Sequence, residues 1–250
     1  MGIGALCECH TVTTLLTSLY YKEELFIMHS RLITVEGIVL RTSQGREGGR
    51  SLSVFTKENG LMQLTVPRAV MQKCGTGALL SLAQIRFSAI LFPEYGVIRQ
   101  YEGRLLLDMM GMSYEEMQQW YYVIELMMHL FPENQSDYRA YQILEIAALT
   151  AQKRNKMIAA FIAVLQLLRQ AGLDPAAEEP MEEGHLSETA KTLMTAFASY
   201  TWNAPLGVSI SAKIFQECAY YVDHFILYHC DIQMNTKGAF VKSEELGVRS

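Results

Sequence analysis

Apolar positions along the chain follow two periods, and the change falls near residue 106. Leu32 to Arg41 is a β-branched run, Ser51 to Phe55 alternates Leu52 and Val54 with serines, and Leu61 to Val66 sets Leu64 and Val66 on one face; each predicts a strand. Between them stand a glycine-rich turn, Gln44 to Gly49, and the hairpin signal Asn59-Gly60. Residues 67–79, with Pro67, Gly75 and Gly77, read as irregular. Leu82 to Phe92 reads as a long strand that Pro93 to Gly96 turns into Val97 to Tyr101. So many short strands in this span fit a small closed barrel better than a sandwich, which takes about seven strands in about 100 residues.

Beyond Leu106 the period becomes helical. Ser113 and Glu116 form a capping box, opening a helix with Met117, Trp120, Tyr121, Ile124, Met127, Met128 and Phe131 as its apolar residues and Pro132 as its stop. Ser136 or Asp137 caps a second helix carrying Tyr141, Leu144, Ile146, Ala148 and Leu149. A third, Lys156 to Ala171, is apolar from Met157 to Leu168 and reads as buried, with Gly172 and Pro175 as stop signals. Residues 174–188 read as an acidic loop, and helices resume over about 188–200 and 210–230. The expected fold class is α+β: a small β-barrel over residues 28–106, then an all-α helical domain over residues 107–250. Residues 1–27 read as a leader or over-extended N-terminus ahead of a start at Met28.

Half of the chain is hydrophobic and 19% is charged, which excludes a disordered protein and suffices for a core. No apolar run reaches the ~20 residues of a membrane span, and the N-terminus lacks the basic region of a signal peptide. Cys7, Cys9, Cys74, Cys218 and Cys230 make no disulfide framework, which suits a reducing cytoplasm. The net charge of −5 is uneven: residues 31–110 hold ten bases and six acids, residues 111–250 ten bases and seventeen acids. A basic β module attracts phosphate backbones, and an acidic α module turns instead to protein partners.

No catalytic motif is complete. Gly207 to Ser211 lacks the second glycine of a nucleophile elbow, and Gly45 to Arg50 has no Lys-Ser/Thr pair for a P-loop. Cys7, Cys9 and His10 cannot close a zinc site, and His224 and His229 fall off one helical stripe. Binding is favoured over catalysis, with no metal and no cofactor expected. Arg41, Arg46, Arg50, Lys57, Arg68, Lys73, Arg86 and Arg99 fall mostly at turns and strand ends, where small barrels hold oligonucleotides. Tyr95, in a turn, offers a stacking face, whereas Phe55, Phe87 and Phe92 have the spacing of barrel core.

The order of Thr34-Val-Glu-Gly-Ile-Val-Leu-Arg41, the turn Gly45-Arg-Glu47, Val54-Phe-Thr56 and Glu58-Asn-Gly60 resembles the start of RecO, the bacterial recombination mediator family. Phe161 to Pro175 resembles that family's central helix, and the likeness covers about Met28 to Phe240. The resemblance implies an OB-fold barrel that binds single- and double-stranded DNA and a helical domain that docks the C-terminal tail of the single-stranded DNA-binding protein. It also implies pairing with RecR, annealing of complementary strands, help in loading RecA, no catalytic site, and a cytoplasmic, nucleoid-associated location. For the acidic, apolar-ended tail the candidate pocket is Lys153, Arg154, Lys156 and Arg169 beside Met157, Phe161 and Leu165. The chain departs from the family at Gly49, where an acid is usual, and in a basic stretch thinned to Arg68 and Lys73. Residues 174–217 also lack the cysteines of the zinc site that many relatives carry. Two other readings follow: an OB-plus-helical adaptor with little DNA affinity, and a hydrolase of unrecognised type.

Overall fold

The computed structural model describes residues 31–93, 95–177, 186–203 and 210–241. The leader over residues 1–27, the start at Met28 and the acidic run Glu178, Glu179, Glu182 and Glu183 lie outside the described residues. Five strands are present there: β1 (Arg31–Gln44), β2 (Arg50–Thr56), β3 (Gly60–Val66), β4 (Ala83–Leu91) and β5 (Gly96–Leu105). They are hydrogen-bonded in the order β1-β2-β3-β5-β4, and β4 pairs back with β1, so the sheet closes on itself as a barrel. β3 and β5 run parallel, with Leu64 opposite Gly96 and Thr65 opposite Val97; the other pairs are antiparallel. β1 and β5 extend past their predicted ends because Gln44 finds Arg50 and Leu105 finds Ala83 as cross-strand partners.

Residues 67–79 are not wholly irregular. A short helix, α1 (Arg68–Cys74), follows Pro67 and ends at Gly75, whose φ is 80°. Two turns of helix with one buried residue, Met71, leave no readable period. Met71 and Leu79 fill the barrel interior together with Val39, Leu52, Val54, Met62, Leu64, Ile85, Phe87 and Ile98. The opposite parity of these strands is buried too. Ile38, Leu40, Phe55 and Leu61 belong to the core of the helical layer. Phe55, expected inside the barrel, follows inward-facing Val54 and must therefore point outward, where it meets Phe131 edge-on at 5.7 Å.

Five longer helices form the second layer: α2 (Tyr114–Leu130), α3 (Tyr138–Ala151), α4 (Lys156–Gln170), α5 (Glu188–Ala198) and α6 (Ala212–Cys230). The capping box of α2 is reciprocal: the Glu116 N–H donates to Ser113 Oγ at 3.2 Å and the Ser113 N–H to Glu116 Oε2 at 3.1 Å. Asp137, not Ser136, caps α3 by accepting from the Ala140 N–H at 2.9 Å. α4 is buried continuously from Ala159 to Leu168 and lies at the centre. Gly172, at φ 85°, ends it in a Schellman arrangement: its N–H donates to the Arg169 carbonyl and that of Leu173 to the Leu168 carbonyl. Three residues placed on apolar stripes are exposed, namely Tyr121, Ile146 and Leu149. The register of α2 buries Tyr122 instead, where its hydroxyl donates to Asp223 at 2.8 Å.

Past α6 a C-terminal strap, residues 232–241, returns across the helices. Glu125 accepts from the N–H groups of Asn235 and Thr236 at 2.8 and 3.0 Å, Asp223 accepts from Gly238 at 2.8 Å, and Phe240 packs on Tyr122, Phe161 and Phe215. Among the described residues no helix is long and apolar enough to cross a membrane.

Candidate nucleic-acid interface

The turn between β1 and β2 builds the most basic corner of the barrel. Glu47 and Gly48 take positive φ values of 52° and 75°, and the Gly45 N–H donates to the Gly49 carbonyl at 3.0 Å. A Cβ on Gly49 would lie 2.7 Å from the Val66 carbonyl oxygen, so this position has no room for an acidic side chain. One on Gly48 would sit 3.4 Å from Arg68 Cδ. The turn therefore folds down on the end of β3 and the start of α1. Arg50 pairs with both Gln44 and Val66, so Arg46, Arg50 and Arg68 share one rim of the barrel. Lys73 stands on the exposed side of α1, and Arg41, opposite Ser53, lies on the outer face of β1. All five are exposed, and none forms an ion pair with a described residue. Uncompensated exposed cations of this kind are free to take phosphate oxygens.

The remaining candidates differ in their settings. Lys57 is committed at the junction of barrel and helices: it pairs with Glu36, and its ammonium lies 5.2 Å from the centre of the Tyr141 ring. Its hydrogen bond to Glu36 raises its pKa above the usual lysine value. Gln84 completes this junction, reaching Glu36 and Tyr141 at 3.0 Å each and Glu145 at 2.5 Å. Arg86 is exposed on β4, directly between Glu36 on β1 and Glu102 on β5, and these acids oppose its charge. Arg99 is exposed at the β5 irregularity opposite Ser88 and Ala89. Tyr95 packs against Phe92, ring centroids 5.1 Å apart and planes tilted by 33°, beside Gln63 and Glu133.

Part of the outer face of β2 and β3 is covered. Phe55 and Leu61 are under the helices, and Ser53 bonds to Gln63, which donates to Glu133 at 2.8 Å. Next to the rim, a cleft of about 320 Å³ runs from Thr42 and Arg50 to Tyr121 of α2. Sequence reasoning missed Tyr121 as a surface residue, because one step along a helix separates it from fully buried Trp120.

The partner cluster proposed around α4 is dispersed. Phe161 and Leu165 are fully buried core residues, since α4 is covered on every side from Ala159 to Leu168, and so cannot line a groove. Lys156 pairs with Glu116 at 3.2 Å, Arg154 donates to the Tyr200 hydroxyl at 2.5 Å, and Arg169 lies 3.8 Å from Asp174. Lys153 is exposed. Met157 does border a cavity, of about 870 Å³, at the meeting of the first turns of α2 and α6, the start of α4 and the strap at Phe240. Gln119 lines it, its Oε1 buried and without a hydrogen-bond partner among the described residues.

Cys218 is a core residue whose thiol burial pushes up to about 12, a value that keeps it protonated and inert. Among the described residues no three His, Cys, Asp or Glu side chains converge as a metal-ligand set. No protein-family model matches the chain, and no curated protein matches its sequence.

Proposed function

We propose that this chain is a RecO-like recombination and repair mediator that works by binding rather than by covalent chemistry, holding single- and double-stranded DNA at the barrel rim. The observation that carries the reading is the exposed trio Arg46, Arg50 and Arg68, none of them in an ion pair with a described residue, on one end of a closed five-strand barrel. The connectivity supports an OB-fold, with β3 and β5 parallel and α1 between β3 and β4. The β1–β2 loop of that fold is a recurrent oligonucleotide contact. Annealing, RecA loading, pairing with RecR and a nucleoid-associated cytoplasmic location follow from the same resemblance. The tail of the single-stranded DNA-binding protein is assigned to the cavity bordered by Met157, Phe215 and Phe240, whose apolar walls and helix N-termini suit an acidic, apolar-ended peptide.

An electrophoretic shift with labelled single-stranded DNA tests the reading at low salt. The wild-type chain is expected to retard the strand. Replacing Arg46 and Arg50 together by Ala should weaken binding and, on duplex DNA, reduce the salt slope by about two units. The covered outer face of β2 and β3 favours a second reading, an adaptor with little DNA affinity. A wild-type chain that binds a tail peptide and shifts no DNA would establish the second at the expense of the first.

A further inference from the structure

The cleft between the barrel rim and α2 encloses about 320 Å³. Its walls come from distant parts of the chain: Thr42 and Arg50 from the barrel end, Leu80 from the segment before β4, Asp108 and Met110 from the connection to the helices, and Tyr121 from α2. Three large side chains are exposed at this opening, Leu80 by 41%, Met110 by 80% and Tyr121 by 42%. They line one opening rather than standing singly on the surface, and a contiguous apolar surface of this kind is a contact site.

The charges decide what enters. Arg50 is the cleft's cation, continuous with Arg46 and Arg68 on the rim. Asp108 is its acid; Oδ1 accepts the Met110 N–H at 3.0 Å, and Oδ2 has no donor among the described residues. A phosphate lodged inside would face this carboxylate. A neutral heterocycle with N–H groups would instead find an acceptor in Asp108, an aromatic ring in Tyr121 and apolar side chains in Leu80 and Met110. We infer that the cleft takes one unpaired nucleobase of a DNA strand whose phosphates run along the arginine rim. The inference rests on the DNA-binding reading and adds to it a source of strand preference. A base inside a duplex has its faces covered by its neighbours and cannot enter without being flipped out.

The test compares single-stranded and duplex oligonucleotides of one sequence, the single strand carrying one 2-aminopurine. Binding to the wild-type chain should change the 2-aminopurine emission through stacking on Tyr121. Tyr121→Ala should weaken single-strand binding about tenfold, within the range of base–aromatic stacking, and remove that emission change while leaving duplex affinity within about twofold. Tyr121→Phe should restore both. Because Tyr121 is exposed, an unchanged urea midpoint for Tyr121→Ala checks that the fold is intact. If Tyr121→Ala leaves single-strand affinity and emission unaltered, or weakens both DNA forms equally, the base site is overturned while the rim reading stands. If the wild-type chain binds neither form at low salt, the DNA reading falls and the base site with it.

Discussion

Gly60 and Gly172 share a left-handed backbone, at φ 66° and 85°, but their surroundings differ. A Cβ on Gly60 would overlap the Gln135 carbonyl, where the β2–β3 hairpin meets the chain entering α3, whereas one on Gly172 would meet nothing within 4 Å. Gly172→Ala should therefore cost only the conformational term, about 1 kcal/mol. Gly60→Ala adds a backbone collision and should cost roughly 3 kcal/mol or more. Urea unfolding of the two variants checks this; equal losses would mean that the hairpin yields more easily than its contacts imply.

The strap over the helices turns on two carboxylates of opposite behaviour. Burial pushes Glu125 up, but the hydrogen bonds from Thr236 and Asn235 outweigh it, and its carboxyl ends below the ordinary value of 4.5. A lowered carboxyl adds stability above its unfolded-state pKa, and that stability is lost as pH falls through the folded value. Asp223 is held above its ordinary 3.8 by burial, despite bonds from Tyr122 and Gly238, so its ionisation costs stability and acidification relieves that cost. Glu125→Gln keeps one acceptor and exchanges the other for a donor. It should lose about 1–2 kcal/mol near neutral pH, and the gap to wild type should narrow as pH falls below about 4.5. Urea midpoints at neutral and acid pH measure it; a gap independent of pH would show that the strap does not depend on the Glu125 charge.

At the scale of the whole molecule, barrel and helices share a core. Ile38, Leu40, Phe55, Leu61 and Leu82 of the barrel region join the same apolar cluster as Trp120, Phe131, Tyr141 and Phe161. The boundary expected at residues 106–107 runs through it, with Leu106 and Leu107 both buried. Phe55→Ala should cost about 3–5 kcal/mol and lower barrel and helix stability together. Hydrogen exchange of β1 and β2 amides, read beside those of α2, tests this. Loss of protection in the strands alone would mean that the barrel unfolds independently.

What the sequence determined by itself was set by near neighbours. The capping box Ser113–Glu116, the Gly172 stop and the turn at Asn59-Gly60 are each satisfied within a few residues, so residue type alone specifies them. The strand alternation and the buried character of α4 were legible for the same reason, as was the Gly45 to Gly49 turn that carries the basic rim. Tertiary structure decided the rest. When both faces of a strand are buried, alternation cannot say which side holds Phe55, and a one-residue phase separates exposed Tyr121 from buried Trp120 and Tyr122. Whether a cation is available depends on acids far along the chain: Glu36 takes Lys57, and Glu116 takes Lys156 across 40 positions. The cleft at Arg50, Asp108 and Tyr121 exists only where three separate segments meet, and no local pattern encodes a distance between them.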